Sequence, residues 1–335
     1  MNLQDIKMVC YGVRKTERVF FENLNKDYGY QLTLIEEYLT KDNIDTVKGH
    51  NAVMVRANCD CGAENLLKMK EYGVKYLLTR TVGYNHIDLP KAHELGFEMA
   101  NVPSYSPNAV SELAVSMGNA LLRNLFYMAD RERQTNFKVD DFMFAKEIRN
   151  STIGIVGTGR IGFEAAKAWK GMGARVLGYD LYPNDKVRET LEYVDLDTLV
   201  KESDLISFHC PYIKEQNHHM INKEFISKMK KGAVLINAAR GPLMDSAAVY
   251  EAVKTNHLKG VGLDVLENEG SVFFKDFNGD KTGDDMTNKL LELYPRVIIT
   301  PHVGSYTDEA VKNMIETTYE NLKIILTGQE LKNRI

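Results

Sequence analysis

The chain lacks most of what would commit it to a membrane, a nucleic acid or an oxidising compartment. Its four cysteines (Cys10, Cys59, Cys61 and Cys210) are too few and too scattered for a disulfide framework in 335 residues. No apolar run approaches the ~20 residues of a membrane span, and the opening MNLQDIKMVCYG runs straight into a strand pattern without a signal peptide. The net charge is only −4, and both signs are scattered without long runs, so no surface suited to nucleic acid is expected. Cys59-Asp60-Cys61 has no third and fourth ligand near it in sequence, and no metal is expected. These absences leave a small-molecule partner and a cytoplasmic enzyme with reduced thiols.

What the chain has instead is alternation. Short apolar runs at Lys7–Gly12, Leu32–Tyr38, Ala52–Arg56, Val74–Arg80 and Met99–Val102 are separated by helical stretches, which implies a parallel sheet covered on both faces. Ser106-Pro107-Asn108 opens a long helix that crosses between domains, and the pattern is weaker over Arg131–Asn150. Alternation then resumes through a second set of runs up to Gly260–Val265, followed by a polar excursion at 268–296, a short run at Val297–Thr300 and a closing helix from Asp308. The expected fold is α/β, with two Rossmann-like domains of parallel sheet and an active-site cleft between them. The expected division is 1–105 with 300–335, and 106–299. The aromatic cluster around Tyr127, Phe137, Phe142 and Phe144 is read as core or subunit contact.

The most specific segment is STIGIVGTGRIGFEAAKAWKGMGARVLGYD, residues 151 to 180. A β-branched run leads into Gly157-x-Gly159-x-x-Gly162, then a helix, a second apolar run and Asp180. The glycines permit a tight turn, close backbone approach to a pyrophosphate and helix–strand packing, while the helix N-terminus offers free N–H groups. Asp180 lies 18 residues after Gly162, where a carboxylate accepts ribose hydroxyls and repels a 2′-phosphate, so NAD is expected over NADP. Gly157, Gly159, Arg160, Ile161, Gly162 and Asp180 are the expected cofactor residues of this segment; Pro211, Asn217, Ala238 and Asp264 are the further cofactor candidates.

Candidate catalytic groups also stand at strand ends. Arg240 follows AVLINAA, where a planar fork of donors suits a carboxylate. His302 ends VIITPH and is placed to exchange a proton with a carbonyl oxygen. Glu269 or Glu267 would orient that imidazole and stabilise its charged form. His86 is the competing acid/base. His209, inside LISFHC, suits a structural or cofactor-lining role, and the adjacent His218 and His219, which would point apart on a regular element, read as polar loop residues.

At these residues a resemblance becomes plain. The glycine motif with its downstream Asp, SDLISFHCPY, MKKGAVLINAARG, GLDVLENE and ITPHVGSYTDEA resemble the D-isomer-specific 2-hydroxyacid dehydrogenases over almost the full chain. The resemblance implies that Arg240 binds the substrate carboxylate, Glu269 pairs with the histidine, His302 is the general acid/base and Asp264 lies near the nicotinamide carboxamide. It also implies that the Val82 and Gly83 N–H groups hold the carboxylate, that Tyr105 lines the pocket and that the protein is a homodimer. Arg56, ending AVMVR, departs from the simple lactate pattern and resembles the branch that interconverts 2-oxoglutarate and (R)-2-hydroxyglutarate. Its alternative is a surface pair with Glu36 or Asp60. The rival readings are D-lactate or another (R)-2-hydroxy acid as substrate, 3-phosphoglycerate dehydrogenase, and a non-catalytic NAD-sensing module.

Overall fold

The computed structural model describes residues 3–335 and resolves into two compact units. One unit runs up to Ser106 and includes Tyr306–Ile335; the other is Pro107–Ser305. The second crossing lies after Ser305 rather than at 300, because Val303 and Gly304 donate their N–H groups to Asp264, at 2.9 and 2.8 Å. His302 therefore stays with the second unit.

The first unit holds a five-stranded parallel sheet of β1 (Lys7–Cys10), β2 (Gln31–Leu34), β3 (Ala52–Val55), β4 (Tyr76–Thr79) and β5 (Glu98–Ala100), in the order β2-β1-β3-β4-β5. The inner strands β3 and β4 are covered on both faces, whereas the edge strand β2 leaves Gln31 and Thr33 exposed. In β3, Val53 and Val55 enter one core with Val9, Leu66 and Met69, while Ala52 and Met54 enter the other with Met8, Leu78 and Tyr319. Successive side chains of a strand point to opposite faces, so a run with no polar alternation needs two coverings. The helix Asp308–Thr327 supplies the second one. Thr307 caps its start by accepting from the Ala310 N–H, and Asn321 Nδ2 donates to the Asn101 carbonyl at 2.8 Å.

The second unit holds seven parallel strands: β6 (Thr152–Val156), β7 (Arg175–Tyr179), β8 (Glu192–Tyr193), β9 (Leu205–Phe208), β10 (Ala233–Asn237), β11 (Leu258–Leu263) and β12 (Val297–Ile299). Their order is β12-β11-β10-β9-β6-β7-β8. The order reverses direction between β9 and β6, and in the first sheet between β1 and β3. Ligands of open α/β sheets bind beyond the strand carboxyl ends at such reversals. The aromatic cluster does not build the core of this unit, since Phe137 and Phe144 are 73% and 89% exposed. No described helix is long and apolar enough to cross a membrane.

Candidate active site

The glycine segment lies at the reversal of the second sheet. Gly157 follows β6 with φ of 90°, and a Cβ there would lie 2.5 Å from the backbone nitrogen of Cys210, just beyond β9. A Cβ on Gly162 would lie 1.9 Å from the Gly157 carbonyl oxygen, so the helix Arg160–Gly171 starts against the turn only because that residue is glycine. Gly159 is exposed, and nothing lies within 4 Å of the place its Cβ would take. This bare backbone at a helix N-terminus fits a pyrophosphate. Arg160 is exposed and Ile161 half-buried on the first turn of that helix. Asp180 braces the turn: its Oδ2 accepts from the Thr158 N–H at 2.7 Å and hydroxyl at 3.1 Å, and its Oδ1 from the Tyr182 N–H at 2.9 Å.

Beyond the carboxyl end of the edge strand β12 the structure brings His302 and Glu269 together, with Nδ1 2.9 Å from Oε1. This contact selects Glu269 over Glu267, which instead lies 2.8 Å from His219. His302 has φ of 51°, a left-handed conformation that costs a non-glycine residue about 1–2 kcal/mol. Asp264 holds it there. That carboxylate is only 2% exposed and takes the Thr300 hydroxyl and Val303 N–H on Oδ1, at 2.6 and 2.9 Å, and the Gly304 N–H on Oδ2. Burial raises its pKa in spite of these three donors. Expected beside the nicotinamide, Asp264 is committed on both oxygens to the segment carrying His302, a role that sequence spacing alone does not reveal. Arg240 is exposed; its Nη1 donates to the Ala239 carbonyl at 2.7 Å, and among the described residues no carboxylate lies within ion-pair distance of it.

The first unit has its own cationic focus at its sheet reversal. Arg56, immediately after β3, reaches Glu17 at 3.3 Å and the Gly12 carbonyl at 3.5 Å. Arg80, 1% exposed, takes the other Glu17 oxygen at 2.8 Å and the same Gly12 carbonyl at 2.8 Å. Arg14 completes the group at 3.5 Å from Glu17. Burial would raise the Glu17 carboxyl, but Arg80 and Arg56 outweigh it and hold it below the usual range. Burial and then the neighbouring Arg80 push Arg56 down to about 10. The partner of Arg56 is thus Glu17, not the expected alternatives Glu36 or Asp60; Glu17 precedes a helix in sequence and gave no signal of its own.

Beside this group the Val82–Gly83 loop is tied by its carbonyls, leaving its N–H groups uncommitted. Asn101 Nδ2 donates to the Val82 carbonyl at 2.8 Å and the Thr81 hydroxyl to the Gly83 carbonyl at 2.7 Å, while neither N–H meets an acceptor among the described residues. Burial lowers the His86 pKa to about 4, and its Nε2 lies 3.2 Å from the Thr79 hydroxyl. A ring that stays neutral at ordinary pH is a poor competitor for the acid/base role.

Residues 115–304 match the family profile described as D-isomer specific 2-hydroxyacid dehydrogenase, NAD binding domain. The chain belongs to that family. It is 41% identical over 319 residues to an aromatic 2-oxoacid reductase of Clostridium sporogenes, covering 95% of this chain and 96% of that protein. A solved D-lactate dehydrogenase of Treponema pallidum superposes with a TM-score of 0.91 at 34% identity, over 98% of this chain and 99% of that one. The D-lactate dehydrogenase of Lactobacillus jensenii, solved with NAD+, gives 0.87 at 36% identity, over 98% and 99%. This D-2-hydroxyacid dehydrogenase is therefore an oxidoreductase with NAD as its cofactor.

Other expected positions of the dehydrogenase are held by their own chain. Asn217 closes its loop, accepting from the Ile213 N–H at 2.7 Å and donating to the Pro211 carbonyl at 2.8 Å. Ala238 is buried just after β10. The Tyr105 carbonyl accepts from Asn313 at 2.7 Å, which ties this stretch to the C-terminal helix. His218 and His219, read as polar loop residues, stack with ring centroids 3.9 Å apart at a turn where His219 has φ of 51°.

Proposed function

We propose that the protein interconverts 2-oxoglutarate and (R)-2-hydroxyglutarate. The observation that carries this reading is the charge around Arg56: three arginines, Arg14, Arg56 and Arg80, share the single carboxylate of Glu17 at the reversal of the first sheet. The surplus positive charge suits a distal carboxylate, which an arginine fork binds with directional hydrogen bonds.

Bound NADH supplies a hydride for C2 of the oxo acid. Arg240 grips the carboxylate next to that carbon and polarises the carbonyl, and the uncommitted Val82 and Gly83 N–H groups are further donors suited to a carboxylate. Tyr105 lines the pocket of the side chain. His302 gives its Nε2 proton to the C2 oxygen during reduction and takes it back during oxidation, while Glu269 on Nδ1 fixes the ring and stabilises the imidazolium. Asp180 receives the adenosine ribose and selects NAD over NADP. A second copy of the chain covers the exposed Phe137, Val139 and Phe144 in a homodimer. The buried free thiols of Cys10, Cys59 and Cys61 suit the cytoplasm.

A second reading, with pyruvate or an aromatic or branched 2-oxo acid as substrate, is favoured by the Arg56–Glu17 contact of 3.3 Å, which gives Arg56 a structural role. Initial rates with NADH against 2-oxoglutarate, pyruvate, phenylpyruvate and 2-oxoisocaproate separate the two. The first reading expects 2-oxoglutarate to lead. Arg56→Ala should then lower kcat/KM for it by roughly 10–10² while sparing pyruvate, since a charge-assisted hydrogen bond contributes about 1.5–3 kcal/mol. Preference for pyruvate or phenylpyruvate, or an equal loss on all substrates, establishes the second reading.

A further inference from the structure

We propose that His218, His219 and Glu267 form a binding site for a divalent transition metal of the zinc class, separate from the acid/base pair. Each residue offers one ligand atom, and all three atoms lie within 4.8 Å of one another. His219 Nε2 is already 2.8 Å from Glu267 Oε1, across 48 residues of sequence. The two imidazoles are nearly parallel, 20° apart. Zinc takes imidazole and carboxylate ligands at about 2.0–2.2 Å, which puts tetrahedral ligand atoms about 3.3–3.5 Å apart. The contraction required falls on His218, an exposed side chain with room to turn. Two nitrogens and one oxygen leave a fourth position for water, the donor set of an open zinc site.

The frame around these ligands is built. The His219 N–H donates to the Pro242 carbonyl and the Ile221 N–H to the Leu243 carbonyl, each at 2.9 Å, which fixes the histidine turn on the segment after Arg240. On the far side of that segment, a Cβ on Gly241 would lie 2.0 Å from the Leu266 carbonyl oxygen and 2.5 Å from the Glu267 nitrogen. The loops after β9 and β11 are thus locked onto the one between them, and each delivers ligands to the same place. His218 Nδ1 lies 3.2 Å from the Tyr212 hydroxyl. An Nδ1–H held by that oxygen leaves Nε2 to bind metal, the outer partner that ligating histidines usually have.

The test is calorimetric titration of the metal-stripped, full-length protein with zinc sulfate, followed by thermal unfolding with and without zinc. One zinc per chain and a rise in Tm are expected. His218→Ala and Glu267→Gln should each weaken binding by at least about tenfold, and Tyr212→Phe by about tenfold, the usual effect of losing an outer partner. His302→Ala should leave the affinity unchanged. Absence of one-to-one binding overturns the proposal, as does affinity that survives Glu267→Gln. Loss of binding in His302→Ala would place the metal on His302 and Glu269 and refute it equally.

Discussion

Replacing Asp264 by Asn tests whether this carboxylate holds the catalytic histidine in place. Asn is nearly isosteric and keeps one acceptor oxygen. With that oxygen facing Thr300 and Val303, its NH2 group meets the Gly304 N–H, now 2.8 Å from a carboxylate oxygen, donor against donor. One hydrogen bond to a charged acceptor is lost, about 1.5–3 kcal/mol, and the Gly304 N–H is left buried without a partner, which costs about 1–3 kcal/mol. His302 needs support of this size, because its φ of 51° is itself unfavourable. If half of the loss reaches the transition state, kcat falls by roughly 10–10², each ~1.4 kcal/mol being tenfold. NADH affinity, read by fluorescence titration, should change far less. Thr300→Val removes the 2.6 Å hydroxyl contact to Asp264 and the 3.5 Å contact to the Leu263 carbonyl, and should reduce kcat by a smaller factor. Full turnover and unchanged Tm in Asp264→Asn would refute the reasoning; equal losses in NADH affinity and kcat would return Asp264 to the cofactor.

Three further outcomes are expected. His302→Ala should lower kcat by roughly 10²–10⁴ with NADH binding intact, and the assignment fails if His86→Ala is the inactive variant instead. NADH should be used far better than NADPH, and Asp180→Ala should narrow that gap chiefly through NADH; equal use by the unmutated enzyme contradicts the role of Asp180. Burial depresses His86 and His209 to about 4 from 6.5, so both stay neutral when folded but take up protons when unfolded below about pH 6.5. Their stability contribution is present above pH 6.5 and is lost as pH falls toward 4, with a slope of at most about 1.4 kcal/mol per pH unit for each ring. Urea unfolding at several pH values should show that decline, and His86→Gln should flatten it.

The elements most legible in the sequence were those with a local cause. The glycine turn, its helix and Asp180 lie within 30 residues, and an unbroken apolar strand such as β3 announces a doubly covered sheet by its own composition. Arg240 and His302 were visible because each follows such a strand. Partners were harder, since a contact across 33 residues, as between Glu269 and His302, leaves no periodic trace, and Glu267 had equal claim until the loops were in place. Glu17 was invisible for a similar reason: its two principal arginines lie 39 and 63 residues away. Asp264 was visible as a residue but not in its task, because the hydrogen bonds that define it go to backbone N–H groups.

The return of the C-terminal helix to the first sheet also sets an order of events during synthesis. Strands β1 to β5 emerge first, yet one face of their sheet stays open until Val311, Ile315, Tyr319 and Leu322 have been made. All of Pro107–Ser305 is translated in the interval, and that continuous segment has its own core to collapse into. The unit begun first is therefore completed second, and Ile6, Met8, Met54 and Leu78 remain open to chaperones and to aggregation meanwhile. A chain terminated before Tyr306 would keep that face exposed permanently, and its fate in the cell would be proteolysis or inclusion bodies rather than a smaller enzyme.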